Sequence, residues 1–277
     1  MKKIYYANGK FIDFSHFYIM GILNVTPDSF SDGGKYLTLE QQIQHYHYLL
    51  ENGAQIIDIG GQSTRPYAKR ISPEEEWQRI SPFLDWFQNN GNQEVILSVD
   101  TFYPEVAEKA LRLGANMIND VLCESLVSMV HLCKKYKAVY VLTHAQGNPS
   151  NMQVNPTYQD VVEEIYQFFV NKIQKIYDLG SIDLILDPGI GFGKTVEHNY
   201  QILQHIELFK YLNLPILIGI SRKSLLSKFF QERWQNLISI QETLHAEMIQ
   251  KGISILRVHE PIYLKKFFKL FNLRNKL

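Results

Sequence analysis

Chemically useful residues recur at one kind of place in this 277-residue chain, directly after a short apolar run. Asn24 follows Tyr18–Leu23, Gly60-Gly61-Gln62-Ser63-Thr64-Arg65 follows Ile56-Ile57-Asp58-Ile59, and Asp100 follows Val95–Val99. Asn119, His144, Asp187, Ser221-Arg222-Lys223 and Arg257 with His259 end later runs of the same type. One polar residue at such a point is ordinarily a cap or a turn former, whereas a whole set of them points to convergence on one ligand. Asp100, Asn119 and Asp187 carry planar carboxylate and amide groups, which match the edge of a flat heterocycle with N–H donors beside ring acceptors. Lys223 suits a ring oxygen or nitrogen. Asn24, Arg65, Arg257 and His259 instead offer donors to phosphate or carboxylate oxygens, and an arginine can hold such a group through two parallel bonds. Arg257 and His259, two apart on extended chain, share one face. The expected pocket is therefore dipolar, acidic at a ring end and basic at an anion end.

Other segments imitate better-known motifs. Gly189-Ile190-Gly191-Phe192-Gly193-Lys194-Thr195 looks like a phosphate loop, but the spacing between Gly189 and Gly193 is one residue too short for it. Its glycines are expected to permit close approach of the backbone to a ligand, with Phe192 as a flat apolar wall. His45 and His47 face different ways on a helix and make no metal pair. Pro27–Gly34 and Gln62–Arg70, rich in Gly, Pro and small polar residues, read as lids that exclude water.

These residues need a frame that brings strand ends together. Apolar runs at 18–23, 55–59, 95–99, 116–118, 138–142, 183–186, 215–218 and 253–258 give eight candidate strands. Helical stretches lie between them, announced by Thr38 before Leu39-Glu40-Gln41 and by Ser72-Pro73-Glu74-Glu75. Gly53, Gly114 and Gly180 read as helix stops. Strand–helix alternation implies parallel pairing, and eight such units predict an α/β fold, a (β/α)₈ TIM barrel, with chemistry at the C-terminal ends of the strands. Ahead of it, Ala7-Asn8-Gly9 between two alternating segments predicts a short N-terminal β-hairpin. No linker or low-complexity segment divides the chain, so residues 1–277 are expected to form a single domain.

Composition narrows the function classes. Lys+Arg and Asp+Glu balance at 28 each, leaving no global field to gather nucleic acid or an anionic membrane, so neither is an expected partner. No apolar run is long enough for a membrane span, and the start of the chain has no signal-like apolar region. Two cysteines, Cys123 and Cys133, make neither a disulfide framework nor a zinc cluster and read as buried thiols of a cytoplasmic protein.

Several stretches closely resemble the dihydropteroate synthase family. They are Met20–Gly34, Asp58–Gly61 with Ser63-Thr64-Arg65-Pro66, Ser98–Thr101, Asn119-Asp120, Asp187–Lys194, Ser221–Ser224 and Arg257-Val258-His259, in order along nearly the whole chain. The resemblance implies condensation of 6-hydroxymethyl-7,8-dihydropterin diphosphate with p-aminobenzoate to give 7,8-dihydropteroate and diphosphate. It implies that Asp100, Asn119, Asp187 and Lys223 bind the pterin. Asn24, Arg257 and His259 would bind the diphosphate, with Mg²⁺ near Asn24. Thr64, Arg65, Pro66, Phe192 and Ser224 would form the p-aminobenzoate site. Asp100, Lys223, Arg257 and His259 would then act in the reaction itself, with diphosphate leaving before the amine attacks, and a homodimer is implied. The chain departs from the family pattern at Gln62, where Glu is usual, at Tyr67, where Gly is usual, and at Thr143 and Ala145, where methionines are common. A catalytically silent pterin-binding paralogue is the alternative those departures raise. A pterin-dependent methyltransferase of the same superfamily would share Asp100 and Asn119 but have no need of Ser221-Arg222-Lys223.

Overall fold

The computed structural model describes residues 4–26, 38–63, 68–147 and 151–274. It opens with the hairpin, β1 (Ile4–Ala7) and β2 (Lys10–Asp13), in which Ala7 pairs with Lys10. Asn8 and Gly9 are left as a two-residue turn with φ of 44° and 93°. Positive φ at both central positions is what a twisted hairpin turn of this length requires.

Eight parallel strands follow: β3 (Tyr18–Asn24), β4 (Ile56–Gly60), β5 (Ile96–Asp100), β6 (Met117–Asp120), β7 (Val139–Thr143), β8 (Leu184–Asp187), β9 (Leu217–Ile218) and β10 (Ile255–Val258). Their order is β8-β7-β6-β5-β4-β3-β10-β9, and a parallel bridge between Leu186 and Ile216 joins the two ends of the sheet into a barrel. The connections are helical: α1 (Leu39–Glu51), α2 (Pro73–Asn90), α3 (Pro104–Arg112), α4 (Leu126–Tyr136), α5 (Val161–Leu179), α6 (Val196–Gln204), α7 (Ser224–Phe230) with α8 (Ile238–Gln250), and α9 (Ile262–Arg274). Thr38 caps α1 in a reciprocal capping box with Gln41, and Ser72 caps α2 with Pro73 in its first turn. None of the described helices is long and apolar enough to cross a membrane.

The side-chain period of two along each strand builds two concentric cores. Met20, Ile56, Ile96, Met117, Val139 and Ile185 point into the barrel. Ile19, Ile57, Leu97, Ile118, Tyr140 and Leu186 point out against the helices. Tyr5, Ala7 and Ile12 of the hairpin join the inner set, so the hairpin plugs the N-terminal end of the barrel and leaves the other end for polar groups. Asn116 fastens the plug. Its buried amide donates to Ala7 O (2.9 Å) and accepts from Leu97 N (2.9 Å) and Lys10 Nζ (3.0 Å). Asn116→Ala strands these buried partners, and we expect it to lower stability by roughly 2–4 kcal/mol, read from the urea midpoint. An unchanged midpoint would show that the hairpin is held in place without Asn116.

Candidate functional site

At the C-terminal end of the barrel, Asn24, Gly60, Asp100 and Asn119 stand in register across four neighbouring strands. Thr143 and Asp187 are in register across the next pair. Asp100, Asn119 and Asp187 are all buried. One layer below lies Asp58, an inward residue of β4 with no solvent exposure. Its Oδ1 accepts from Ser98 Oγ (2.6 Å), and its Oδ2 accepts from Asn119 Nδ2 (3.1 Å) and Arg257 Nε (2.6 Å). Arg257 also donates from a terminal nitrogen to Asp100 Oδ2 (2.9 Å). The expected separation of an acidic and a basic end is therefore not what the site shows. Arg257 sits between two carboxylates, because a buried guanidinium needs paired charge on the spot.

The other half of the site is built by the loops after β8 and β9. Lys223 stands at the position just before α7, donates to Ile190 O, and holds its Nζ 4.1 Å from the centre of the Phe192 ring. Phe192 is thus a flat wall, now with a cation over it. His259 and Ser221 meet through Nδ1 and Oγ at 3.1 Å. Asp187 turns the glycine loop by accepting from Gly189 N (2.7 Å). The loop glycines serve a different purpose from the one their spacing implies. A Cβ on Gly189 would lie 1.9 Å from His144 O and one on Gly193 would lie 2.2 Å from Gln146 O, so these two admit the neighbouring loop rather than a ligand. Only Gly191 faces the site, where a Cβ would meet Lys223 Cδ at 3.1 Å.

Thr64, Arg65, Pro66 and Tyr67, like the lid at 27–34, lie outside the described residues, and so does the side chain of Ser224, whose backbone opens α7. The residues flanking the second expected lid are described. Gln62 accepts from Ile71 N (2.8 Å), and Arg70 lies over the Phe102 ring at 4.5 Å while pairing with Glu124 (2.8 Å). The sequence assigns no role to Asp58, Glu76 and Lys194, although Asp58 and Lys194 lie in stretches that carry the family resemblance. The signal for Asp58 was present, a lone acid on the inward phase of an otherwise apolar run.

Burial pushes the carboxyls of Asp100 and Asp187 up, with Arg257 opposing the shift at Asp100 and Lys223 opposing it at Asp187. Burial pushes Lys223 down to about 8, with Asp187 opposing. Two buried carboxyls and two half-buried cations side by side suit a ring with several N–H and acceptor sites that gains positive charge during reaction. The family model "Pterin binding enzyme" matches residues 20–259. The Escherichia coli K12 dihydropteroate synthase is 39% identical over 257 residues, covering 92% of this chain and 90% of that one. The chain belongs to the dihydropteroate synthase family. Among solved structures, the Yersinia pestis dihydropteroate synthase with a sulfonamide drug superposes with a TM-score of 0.91 at 36% identity, covering 99% of this chain and 100% of that one. The Xanthomonas albilineans dihydropteroate synthase with 4-aminobenzoic acid gives 0.90 at 34% identity, covering 100% of both chains.

In this member of the dihydropteroate synthase family, a buried acid packs against Gly61, just after β4. Glu76, in the first turn of α2, is wholly buried against Gly61, where a Cβ would meet its Cγ at 3.1 Å. Burial pushes its carboxyl up to about 8 from an ordinary 4.5, with Asp100 adding to the shift and Arg79 and Arg70 opposing it. The folded state therefore keeps a proton that the unfolded chain has already lost, and this group subtracts from stability as pH rises from about 4.5 to about 8. We expect Glu76→Gln to gain stability over the parent as pH rises through that window, by about 1.4 kcal/mol per pH unit at most. A stability difference that is constant from pH 5 to pH 8 would contradict this origin.

Proposed function

We propose that this chain performs the dihydropteroate synthase reaction with the strand-end set as its site. The bond between the pterin methylene carbon and the diphosphate oxygen breaks, diphosphate leaves with the electron pair, and the amine of p-aminobenzoate forms the new C–N bond and loses a proton. The observation that carries the assignment is the buried layer in which Asp100, Asn119 and Asp187 face Lys223 and Arg257. Supporting it, the Xanthomonas albilineans enzyme has been solved in complex with 7,8-dihydropteroate, and it superposes with a TM-score of 0.86 at 32% identity.

In this reading Asp100, Asn119, Asp187 and Lys223 hold the pterin ring by its donor and acceptor edge. Asp100 then stabilises the cation left when diphosphate departs, in a layer where little water competes. Arg257, released in part from Asp100 when an anion arrives, receives the diphosphate together with Asn24 and His259. Phe192, Ser224, Thr64, Arg65 and Pro66 shape the p-aminobenzoate site. Asn24 is half-buried at the end of β3 and offers an amide oxygen, and no group of three or more His, Cys, Asp or Glu that could hold a metal occurs among the described residues. That donor set fits Mg²⁺, which needs few protein ligands when substrate phosphates and waters complete its shell. When bound, Mg²⁺ would neutralise charge on the departing diphosphate. We also infer a homodimer, supported by the exposed Phe229 and Phe230 at the end of α7. A cytoplasmic setting fits the two buried free thiols.

The test is product formation by purified protein given the dihydropterin diphosphate, Mg²⁺ and p-aminobenzoate. Dihydropteroate that requires both substrates is the expected result. Tight pterin binding without product would instead identify a silent paralogue. Arg257→Ala should weaken diphosphate-bearing pterin by about 100-fold while costing pterin alone far less, since a buried charged contact is worth about 3 kcal/mol. Equal losses for the two ligands would contradict the division between ring and anion groups.

A further inference from the structure

Lys194 follows the glycine loop and is buried, outside the set of groups that face the proposed substrate. Its Nζ lies 3.0 Å from Gly189 O, 3.0 Å from Phe192 O, 3.2 Å from His144 O and 3.0 Å from His144 Nδ1. Three carbonyl oxygens match the three N–H donors of an ammonium, and His144 Nδ1 shares the donor that faces His144 O. Burial drives this group well below the usual lysine range, with the Asp187 carboxylate opposing and Lys223 adding to the shift. Two of those carbonyls belong to the loop after β8 and one to the loop after β7, so this nitrogen bridges the two loops at their roots.

The tie has a direction. Within the glycine loop, Gly191 O accepts from Gln153 Nε2 (2.8 Å) and Gly193 O accepts from the Tyr158 hydroxyl (2.8 Å), both donors belonging to the loop after β7, so the carbonyls of Gly191 and Gly193 are held by other groups and those of Gly189 and Phe192 by Lys194. Ile190 O accepts from Lys223, and the Phe192 ring lies under the same ammonium. Lys194 thus fixes the carbonyl of the residue that carries the ring, while Lys223 rests on the carbonyl two residues earlier. We propose that Lys194 is a positioning residue for the amine-substrate half of the site: it clamps the loops after β7 and β8 so that Phe192 keeps its place beneath Lys223. This deepens the dihydropteroate synthase reading and rests on it.

The test compares Lys194→Met, which keeps the length and removes the donors, with Lys194→Arg, which keeps a charge whose planar fork cannot address three converging carbonyls. Each is made alone and on a Phe192→Leu background, and KM is measured for both substrates. The expected result is a rise of 10-fold or more in the KM for p-aminobenzoate and a change of less than 3-fold in the KM for the dihydropterin diphosphate. On the Phe192→Leu background the same change should have little further effect, because the two act through one contact. KM values within 2-fold of the parent, equal rises for both substrates, or full additivity with Phe192→Leu would overturn the proposal. So would failure of both single variants to fold, which would make Lys194 a residue of the fold alone. Parent protein assayed alongside separates the two claims: no product from the parent counts against the reaction, whereas product from the parent with unchanged KM in the variants counts against Lys194.

Discussion

The site depends on one buried charge arrangement, the Arg257 guanidinium between the carboxylates of Asp58 and Asp100. A cation and two acids beneath the mouth of an apolar barrel are costly unless each satisfies the others, and removing one member of such a set costs about 3–5 kcal/mol. Here the cost is met by geometry that also orders the site. Asp58 uses one oxygen for Ser98 and the other for both Asn119 and Arg257, so it fixes the amide proposed to read the ring and the guanidinium proposed to meet the anion. Asp100 shares the same arginine, and an arriving anion must compete with it.

The barrel makes this possible through the two-residue period of its strands. The phase of β4 that sends Ile56 into the apolar lumen sends Asp58 in one layer higher, and in β5 the same phase carries Ile96, Ser98 and Asp100. The hairpin seals the opposite end with Tyr5, Ala7 and Ile12, which keeps the lumen apolar there and confines the polar layer to the end where the helix-bearing loops gather. Lys194 extends the same logic outward, tying the loop after β7 to the loop after β8 chiefly through backbone carbonyls.

Much of the frame was legible from local signals. The Asn8-Gly9 turn, the Thr38 and Ser72 caps and the eight apolar runs each depend on a few adjacent residues, and each is found in the structure. Boundaries moved where pairing outlasts hydrophobicity: Gly60 and Asp100 still belong to their strands because they pair with each other. β9 is shorter than its apolar run, which begins with Pro215, a residue with no N–H to give to a ladder. The strand-end polar residues were visible one by one, but their partners were not. Arg257 and Asp58 are 199 residues apart, and nothing local to either announces the other. The glycine loop was misread for the same reason, since what fills the space beside Gly189 and Gly193 is a backbone about 45 residues earlier, which only the closed barrel brings there.

The most direct test of this account is the steady-state kinetics of Asp58→Asn, a residue placed one layer below the proposed substrate. The substitution keeps the shape, removes the charge that faces Arg257 and replaces an acceptor by a donor. The account predicts a fall of about 100-fold or more in kcat/KM for the dihydropterin diphosphate, as Asn119 and Arg257 both lose their anchor, with the KM for p-aminobenzoate nearly unchanged. A variant within a few-fold of the parent on the pterin substrate would contradict it, and would mean that Arg257 and Asn119 hold their places without Asp58.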